Sequence, residues 1–353
     1  MKKCICNSLS SIRMAILFAC LLIAGTSCSR AQVCGCTDPA ATNYDTKANV
    51  NDGSCKYAPA KVKASVIGNL DATLHGTSSL FYWNNGYWTY NDHQDKNIYC
   101  IDSTHATILD TSHLKKIQSQ DSEEIAQDSL YLYLGDIGNN SGSRRNLQIY
   151  RVNKKSILDK TYEVDTIRFS YEDQSDFTPS SRITDFDCEA FVVSGDSIYL
   201  FTKQWSSLQT TVYSLPKTPG THVAHRRDSY DVKGLITGAT YIPEHQIIVL
   251  CGYDYDKDHI LTSLHPFLIL LYDFKDGSFF SGNKRRLDFN SSLKAQIEAI
   301  ASRNGTDYYL TCEHFNTTVM GINFDLPAQL MRLDLSEYLL PYLKKKESLK
   351  VKK

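Results

Sequence analysis

Acidic residues recur at matched positions along the chain. Glu123 in Ser122-Glu123-Glu124-Ile125-Ala126, Glu189 in Asp187-Cys188-Glu189-Ala190-Phe191 and Glu298 in Gln296-Ile297-Glu298-Ala299-Ile300 each head a short apolar run. A turn and a second apolar run follow each, closing on Asp136, on Lys203 and, just past Cys312, on Glu313. Two looser copies put Ser78 and Thr237 at the head, with Asp92 and Tyr253 at the close. Carboxylates brought together repel one another unless a cation neutralises them or some take up protons. Calcium or another divalent cation held by Glu123, Glu189, Glu298, Asp92 and Asp136 is one solution, since such ions take oxygen ligands. Lys203 paired with Glu189 of its own copy is a second. A third is structural, with each glutamate accepting backbone N–H groups of the neighbouring repeat as a clasp. With an ion present, a substrate oxygen would be polarised and one free carboxylate would act as general base, which is hydrolase chemistry. No organic cofactor is expected.

The elements that must position these residues are strands. From about residue 62 the chain alternates short apolar segments, rich in Tyr, Val, Ile and Thr, with clusters of Asn, Asp, Gly and Ser, the pattern of an all-β domain. Successive copies start roughly 45 to 65 residues apart, the period of four-stranded propeller blades. Further apolar strands follow at 147–152, 211–215 and 267–272. In a blade the innermost strand and its neighbour run antiparallel, so the start of the first and the end of the second share one rim. Ser78, Glu123, Glu189, Thr237 and Glu298 should therefore meet Asp92, Asp136, Lys203, Tyr253 and Glu313 around one mouth of the channel. The fold class expected is all-β, a single β-propeller of five blades, with a sixth still open. Residues 61–70 read as a lone strand that closes the ring by joining the last blade, leaving no edge at the seam.

Ahead of the propeller the chain changes character. Lys2, Lys3 and Arg13 precede an apolar run over residues 14–24, too short to span a bilayer of about 30 Å and suited to a signal sequence. Residues 1–31 read as the signal-peptide segment, with cleavage on export either before Cys28, which would then carry lipid, or before Gln32. Residues 32–57 form a small module in which Cys36 and Cys55 bracket a stretch with almost no apolar residues; a Cys36–Cys55 disulfide is its natural closure. What Cys34 contacts is not legible. Asp38, Asp45, Asn49, Asn51 and Asp52 supply oxygens of the kind calcium takes, without the spacing of an EF-hand loop. Solvated turns around a disulfide explain the same composition. Residues 58–61 read as a linker, 62–340 as the propeller and 341–353 as a basic disordered tail.

Other candidates are weaker. Gly135-Asp136-Ile137-Gly138-Asn139-Asn140 with Arg144 and Arg145 is an anion loop or ordinary turn chemistry. His75, His93 and His314 fall near the rim, Cys100, Cys188, Cys251 and Cys312 read as buried thiols, and neither a Gly-x-Ser-x-Gly elbow nor a His-Glu-x-x-His pair is present. A net charge of -1 argues against a nucleic-acid partner.

These residues carry a resemblance. The propeller region, about residues 66 to 336, resembles a family of exported bacterial β-propeller proteins, often lipoproteins, without an established activity. It rests on Trp88-Thr89-Tyr90-Asn91-Asp92, Ser122-Glu123-Glu124-Ile125-Ala126, Tyr133-Leu134-Gly135-Asp136-Ile137-Gly138-Asn139-Asn140, Asp187-Cys188-Glu189-Ala190, Lys233-Gly234-Leu235-Ile236-Thr237-Gly238-Ala239-Thr240 and Phe279-Phe280-Ser281-Gly282-Asn283-Lys284. The first copy departs, with Gly76 where an acid is usual and Ser79 where Gly is usual. The small module resembles a short motif of secreted bacterial proteins through Gly35-Cys36-Thr37-Asp38, Asn43-Tyr44 and Asp52-Gly53-Ser54-Cys55. More distantly the architecture is similar to esterase-like phytase and gluconolactonase propellers, which hold a divalent ion in the channel. Two functions follow as expectations. One is a monomeric cell-envelope or secreted binding or scaffold protein, an outer-membrane or periplasmic lipoprotein if Cys28 is acylated, recognising a glycan, peptide or envelope protein at the rim. Its only membrane contact would be the acyl anchor. The other is a divalent-metal-dependent hydrolase acting on a lactone or phosphoester with the ion in the central channel, and binding is favoured.

Overall fold

The computed structural model describes residues 31–353 apart from 93–94, 257–263, 276, 291, 320 and 351–353. The expected signal sequence up to residue 30, with Cys28, and His93 lie outside the described residues. No described helix is long and apolar enough to cross a membrane.

The module comes first, with β1 (Cys34–Gly35) and β2 (Val50–Asn51) paired in parallel and the Cys36–Cys55 disulfide formed. Then come β3 (Lys61–Val62) and β4 (Ser65–Asn69). Blade 1 is β5 (Thr77–Trp83), β6 (Gly86–Asn91), β7 (Asn97–Ile101) and β8 (Ile108–His113). Blade 2 is β9 (Ser122–Gln127), β10 (Tyr131–Asp136), β11 (Gln148–Asn153) and β12 (Val164–Tyr171), with the short helix α1 (Lys154–Leu158) before its last strand. Blade 3 is β13 (Asp187–Ser194), β14 (Ser197–Lys203), β15 (Thr210–Pro216) and β16 (Gly220–Tyr230). Blade 4 is β17 (Leu235–Ile242), β18 (Ile247–Tyr253), β19 (Pro266–Tyr272) and β20 (Asn283–Phe289). Blade 5 opens with β21 (Ile297–Ser302) and β22 (Asp307–Cys312), puts out a hairpin of β23 (Phe315–Val319) and β24 (Ile322–Leu326), and resumes with β25 (Gln329–Asp334). Helix α2 (Ser336–Lys350) ends the described chain.

The described residues therefore form five blades, antiparallel within each. Innermost strands β5, β9, β13, β17 and β21 touch in that order, and β21 meets β5 to close the ring. Five buried apolar clusters fill the five wedges between blades: around Phe81 and Leu134, around Ile149 and Phe191, around Phe201 and Ile269, around Val249 and Leu310, and around Leu80 and Leu330. Each fully buried Leu or Phe contributes about 2 kcal/mol relative to exposure, so the wedges hold the ring.

Residues 61–70 close the ring as expected, with one difference. The segment divides: β4 runs antiparallel to β25 as the outer strand of blade 5, whereas β3 runs parallel to β20 on blade 4. Residues 58–61 are accordingly not a free linker, because Ala60 O accepts Asp288 N–H and Lys61 pairs with Asp288. The outer edges of blades 2 and 3 cover one another through parallel pairing of β12 with β16, which removes two exposed edges.

The tail also differs from expectation. Residues 336–350 are helical, and Tyr338, Leu339 and Leu343 pack into the wedge between blades 4 and 5. Leu335, Leu339 and Leu343 recur every fourth residue, which puts them on one helical face; the basic run from Lys344 hid that signal.

The module is seated on blade 4 and α2. Buried Asp38 accepts hydroxyl hydrogen bonds from Tyr57 (2.6 Å), Tyr272 (2.9 Å) and Tyr342 (2.6 Å), with Ala40 N–H at 3.0 Å. Burial pushes its carboxyl up, and the hydroxyls outweigh that, so it rests below the usual range. Asn51 donates to Asp273 and Asn283, and Lys284 to Gly53 O. Gly53 needs its lack of a side chain, since φ is +74° and Ser281 O crowds it. The other oxygens considered for calcium are engaged within the module: Asp45 accepts Lys47 N–H and Asp52 accepts Ser54 N–H in local turns, and Asn49 accepts Val33 N–H across the module.

Candidate functional site: a polar cavity at the channel mouth

Each blade carries a β-bulge at the same place. Pairing slips between Thr77 and Ser79, at Gly135/Asp136 opposite Ser122 and Glu124, between Cys188 and Ala190, between Ile236 and Gly238, and between Ile297 and Ala299. The residues left out of the ladder are Ser78, Glu123, Glu189, Thr237 and Glu298, the five that head the repeats. A bulge inserts one unpaired residue and re-aims its side chain; here it interrupts the alternation of the inner strands at the rim.

The three glutamates enter a common cavity of about 250 Å³. It is lined by Ser78, Asp92, Glu123, Glu189, Lys203, Tyr253, Glu298 and Glu313, eight of the ten rim positions, together with Asp121, Asn140, Arg182, Trp205 and Gln296. Lys203 Nζ donates to both oxygens of Glu189 at 2.6 Å and lies 4.8 Å from the Trp205 ring centre and 5.5 Å from that of Tyr253. Burial lowers the lysine, but Glu189 and the surrounding acids outweigh it and hold the ammonium protonated. Burial pushes Glu189 up to about 8 against the pull of Lys203. Glu123 is raised well above the carboxylate range by burial and then by Glu189 and Asp121. Glu298 is raised likewise by burial, with Lys203 pulling it down and Glu313, its hydrogen-bond partner, pushing it up. Its Oε1 is buried and accepts no hydrogen bond among the described residues. Glu298 and Glu313 thus form a hydrogen-bonded pair that favours a retained proton.

Two rim positions fall elsewhere. Asp136 is buried in its own loop, paired with Arg144 at 2.8 Å and accepting from Asp121 N–H and Gln148. Arg144 in turn donates to Gly138 O, while Asn139 N–H donates to Asp187 at 2.6 Å. The loop therefore braces blade 2 against blade 3, and Arg145 lies over Phe177. Neither arginine is set for an anion. Gly138 is needed because a Cβ there would collide with the Glu123 and Asp121 carboxylates. Thr237 donates to Ile297 O of blade 5, and Ser78 to Ser122 O of blade 2. The two looser copies thus replace a cavity carboxylate with a hydroxyl that clasps the next blade. The glutamate clasp exists too, one residue along: Glu124 accepts Ile125 N–H and, across the channel, Ala239 N–H of blade 4, both at 2.9 Å.

Of the five positions considered for an ion, Glu123, Glu189, Glu298 and Asp92 line the cavity and Asp136 does not. Among the described residues no three or more His, Cys, Asp or Glu side chains stand together as a metal-binding group. Cys100, Cys188, Cys251 and Cys312 are buried thiols.

The cavity opens on two sides. A second space of about 330 Å³ shares Arg182, Trp205, Tyr253 and Gln296 and adds Tyr255, Leu264 and Phe315 of the hairpin. A third, about 530 Å³, shares Asp92 and Glu313 and adds His75 and His314, whose rings lie 4.5 Å apart. His314 is held by Asp325 of the hairpin at 2.5 Å. Sequence reasoning placed Asn140 in a candidate anion loop, not in this cavity, and missed Arg182, Trp205 and Tyr255, which stand on loops outside the repeated strands. For Trp205 and Tyr255 the only signal was an aromatic residue two positions past the end of β14 and β18; Arg182 had none.

Against known proteins the chain is similar in structure to Myxococcus xanthus glutaminyl cyclase, at 13% identity and TM-score 0.45, covering 79% of this chain and 99% of that one. It is similar to the WD40 repeats of RRP9 at 10% identity and TM-score 0.34, covering 79% and 99%, and to Kuenenia stuttgartiensis hydrazine synthase at 11% and 0.35, covering 75% and 68%. No family model and no curated protein matches the sequence. These likenesses concern propeller-like folds alone, and the five-bladed topology stands on the strand pairing above.

Proposed function

We propose that this is a binding protein of the cell envelope or the secreted fraction, which recognises a glycan, peptide or protein partner at the channel mouth. The observation that carries this reading is the convergence of three bulged glutamates on one cavity continuous with an aromatic-walled space. Concave sites with a few convergent polar groups and apolar walls are the usual form of ligand pockets. Lys203 is held as an ammonium by Glu189, so its amine is not free for nucleophilic attack, which favours recognition.

The test is to probe glycan and peptide arrays with the purified protein and with a Gln296→Ala/Tyr255→Ala variant. Both residues line the mouth and are only half-buried, so the variant should fold. Array signals that are lost in the variant at unchanged Tm are expected. Signals that survive unchanged would place recognition elsewhere.

A further inference from the structure

We propose that an extended polypeptide segment adds as a third strand to β23 of the hairpin, with a large apolar side chain seated in the space beside it. This rests on the reading of the mouth as a binding site and names the class of partner.

The hairpin stands apart from the blades: β23 pairs with β24 and with no other described strand. Phe315 lies opposite Leu326 and Thr317 opposite Phe324, whereas Asn316 lies opposite Asp325 and Thr318 opposite Asn323. Residues directly opposite share a face, so one face is largely apolar and the other polar. Burial alternates to match: Phe315, Thr317, Phe324 and Leu326 are half-buried, and Asn316, Thr318, Asn323 and Asp325 are exposed. Phe315 rests on the cluster of Trp205, Leu235, Tyr253 and Leu264, which turns the apolar face toward the mouth.

The backbone of β23 is open along one edge. Val319 and Ile322 close the hairpin, and the residues of such a closing pair bond to one another. By the alternation of an antiparallel ladder, Thr317 and Phe315 then bond across to β24, while Thr318, Asn316 and His314 turn their N–H and C=O outward. His314 fits that phase, since its N–H donates to His75 O at 2.9 Å. Beyond it, the outward groups of Asn316 and Thr318 meet no partner among the described backbone groups. Phe315, Asn316 and Thr317 all line the space of about 330 Å³ although their side chains alternate between faces, so the open edge itself borders it.

An unpaired ladder of donors and acceptors is complementary to another extended backbone. Peptides bind exposed strand edges in this way, with pockets for alternate side chains giving specificity. Side chains that the added strand directs to the apolar side meet Trp205, Tyr255 and Leu264 across the space. Trp205 and Tyr255 stand edge to face with ring centres 5.0 Å apart, a surface suited to a large apolar residue.

The experiment screens the full chain against an array of short peptides in which one Phe, Trp or Leu is moved along a Ser/Thr framework. The best binder is titrated by fluorescence polarisation into the wild-type protein, Asn316→Pro and Asn323→Pro. Each proline removes an outward N–H without breaking a bond within the hairpin, the first on the open edge of β23 and the second on that of β24. Affinity is expected to fall about tenfold in Asn316→Pro, the order of one or two backbone hydrogen bonds, and to hold in Asn323→Pro. It should fall likewise when alternate residues of the peptide are N-methylated. No peptide binder, equal affinities in the two proline variants, or indifference to N-methylation would each overturn the proposal. N-methylation is read on the wild-type protein, so the test stands even if Asn316→Pro fails to fold. A dimer of the chain that Asn316→Pro abolishes, with no peptide bound, would put a second copy on the edge instead. Ligands lost in Gln296→Ala/Tyr255→Ala but indifferent to Asn316→Pro would refute the added strand while leaving the mouth a binding site.

Discussion

Lys203 and Glu189 are each about 5 % exposed at the side chain and hold one another at 2.6 Å. Removing one partner of such a pair leaves a buried charge uncompensated. Lys203→Met is therefore expected to cost about 3–5 kcal/mol, and Lys203→Met/Glu189→Leu to recover most of that loss. Urea midpoints of the two variants check it; equal destabilisation would show that the packing, not the charge, matters. The other acids make a pH prediction. Burial raises Glu123, Glu124 and Glu298 well above 4.5 in the folded state. The native state then holds protons that the unfolded chain has released, so this stability is complete below about 4.5 and is lost as pH rises through the raised values. Urea midpoints should fall from pH 5 to pH 8, and Glu123→Gln with Glu298→Gln should flatten the slope. These residues were legible because Glu-Ala recurs at the head of three strands. Why they point together was not: a bulge adds one residue without a compositional mark, and only the paired register of Cys188, Ala190 and their partners reveals it.

Among the elements, β4 does the closing. The seam strand could be read from residues 61–70 because an apolar segment stood ahead of the first repeat with nothing nearby to pair with. Its division between blades 4 and 5 could not, since both partners lie more than two hundred residues away. A chain beginning after residue 70 would expose the edge of β25, and an unpaired edge recruits other chains. Size-exclusion chromatography should show such a truncation associating; a stable monomer would mean that β4 is dispensable. Asp38 joins the module to Tyr57, Tyr272 and Tyr342, and Asp38→Ala strands three hydroxyls at a cost of about 2 kcal/mol. Hydrogen exchange should then quicken over 34–57 and in α2 while β9 and β13 keep their protection. Quickening throughout would make the module integral to the ring.

At the scale of the whole molecule, periodicity carried the architecture: a repeat of blade length with matched heads and closes specifies a ring, and the ring places those residues on one rim. What periodicity leaves out are the single-copy loops and the hairpin, and these supply Arg182, Trp205, Tyr255 and Phe315 to the mouth. Under the proposed binding function, specificity would lie in the least repeated parts of the chain. Dialysis against EDTA and titration with calcium are expected to leave Tm unchanged, because Lys203 and bound protons already offset the acids; a calcium-dependent rise would return the ion to the cavity. The most direct measurement is hydrogen–deuterium exchange of the full chain with and without a ligand taken from the arrays. Binding at the mouth predicts slowed exchange over 121–124, 203–208, 253–256 and 296–298. Slowing confined to the opposite mouth, around Tyr82, Gln127 and Tyr241, would contradict it.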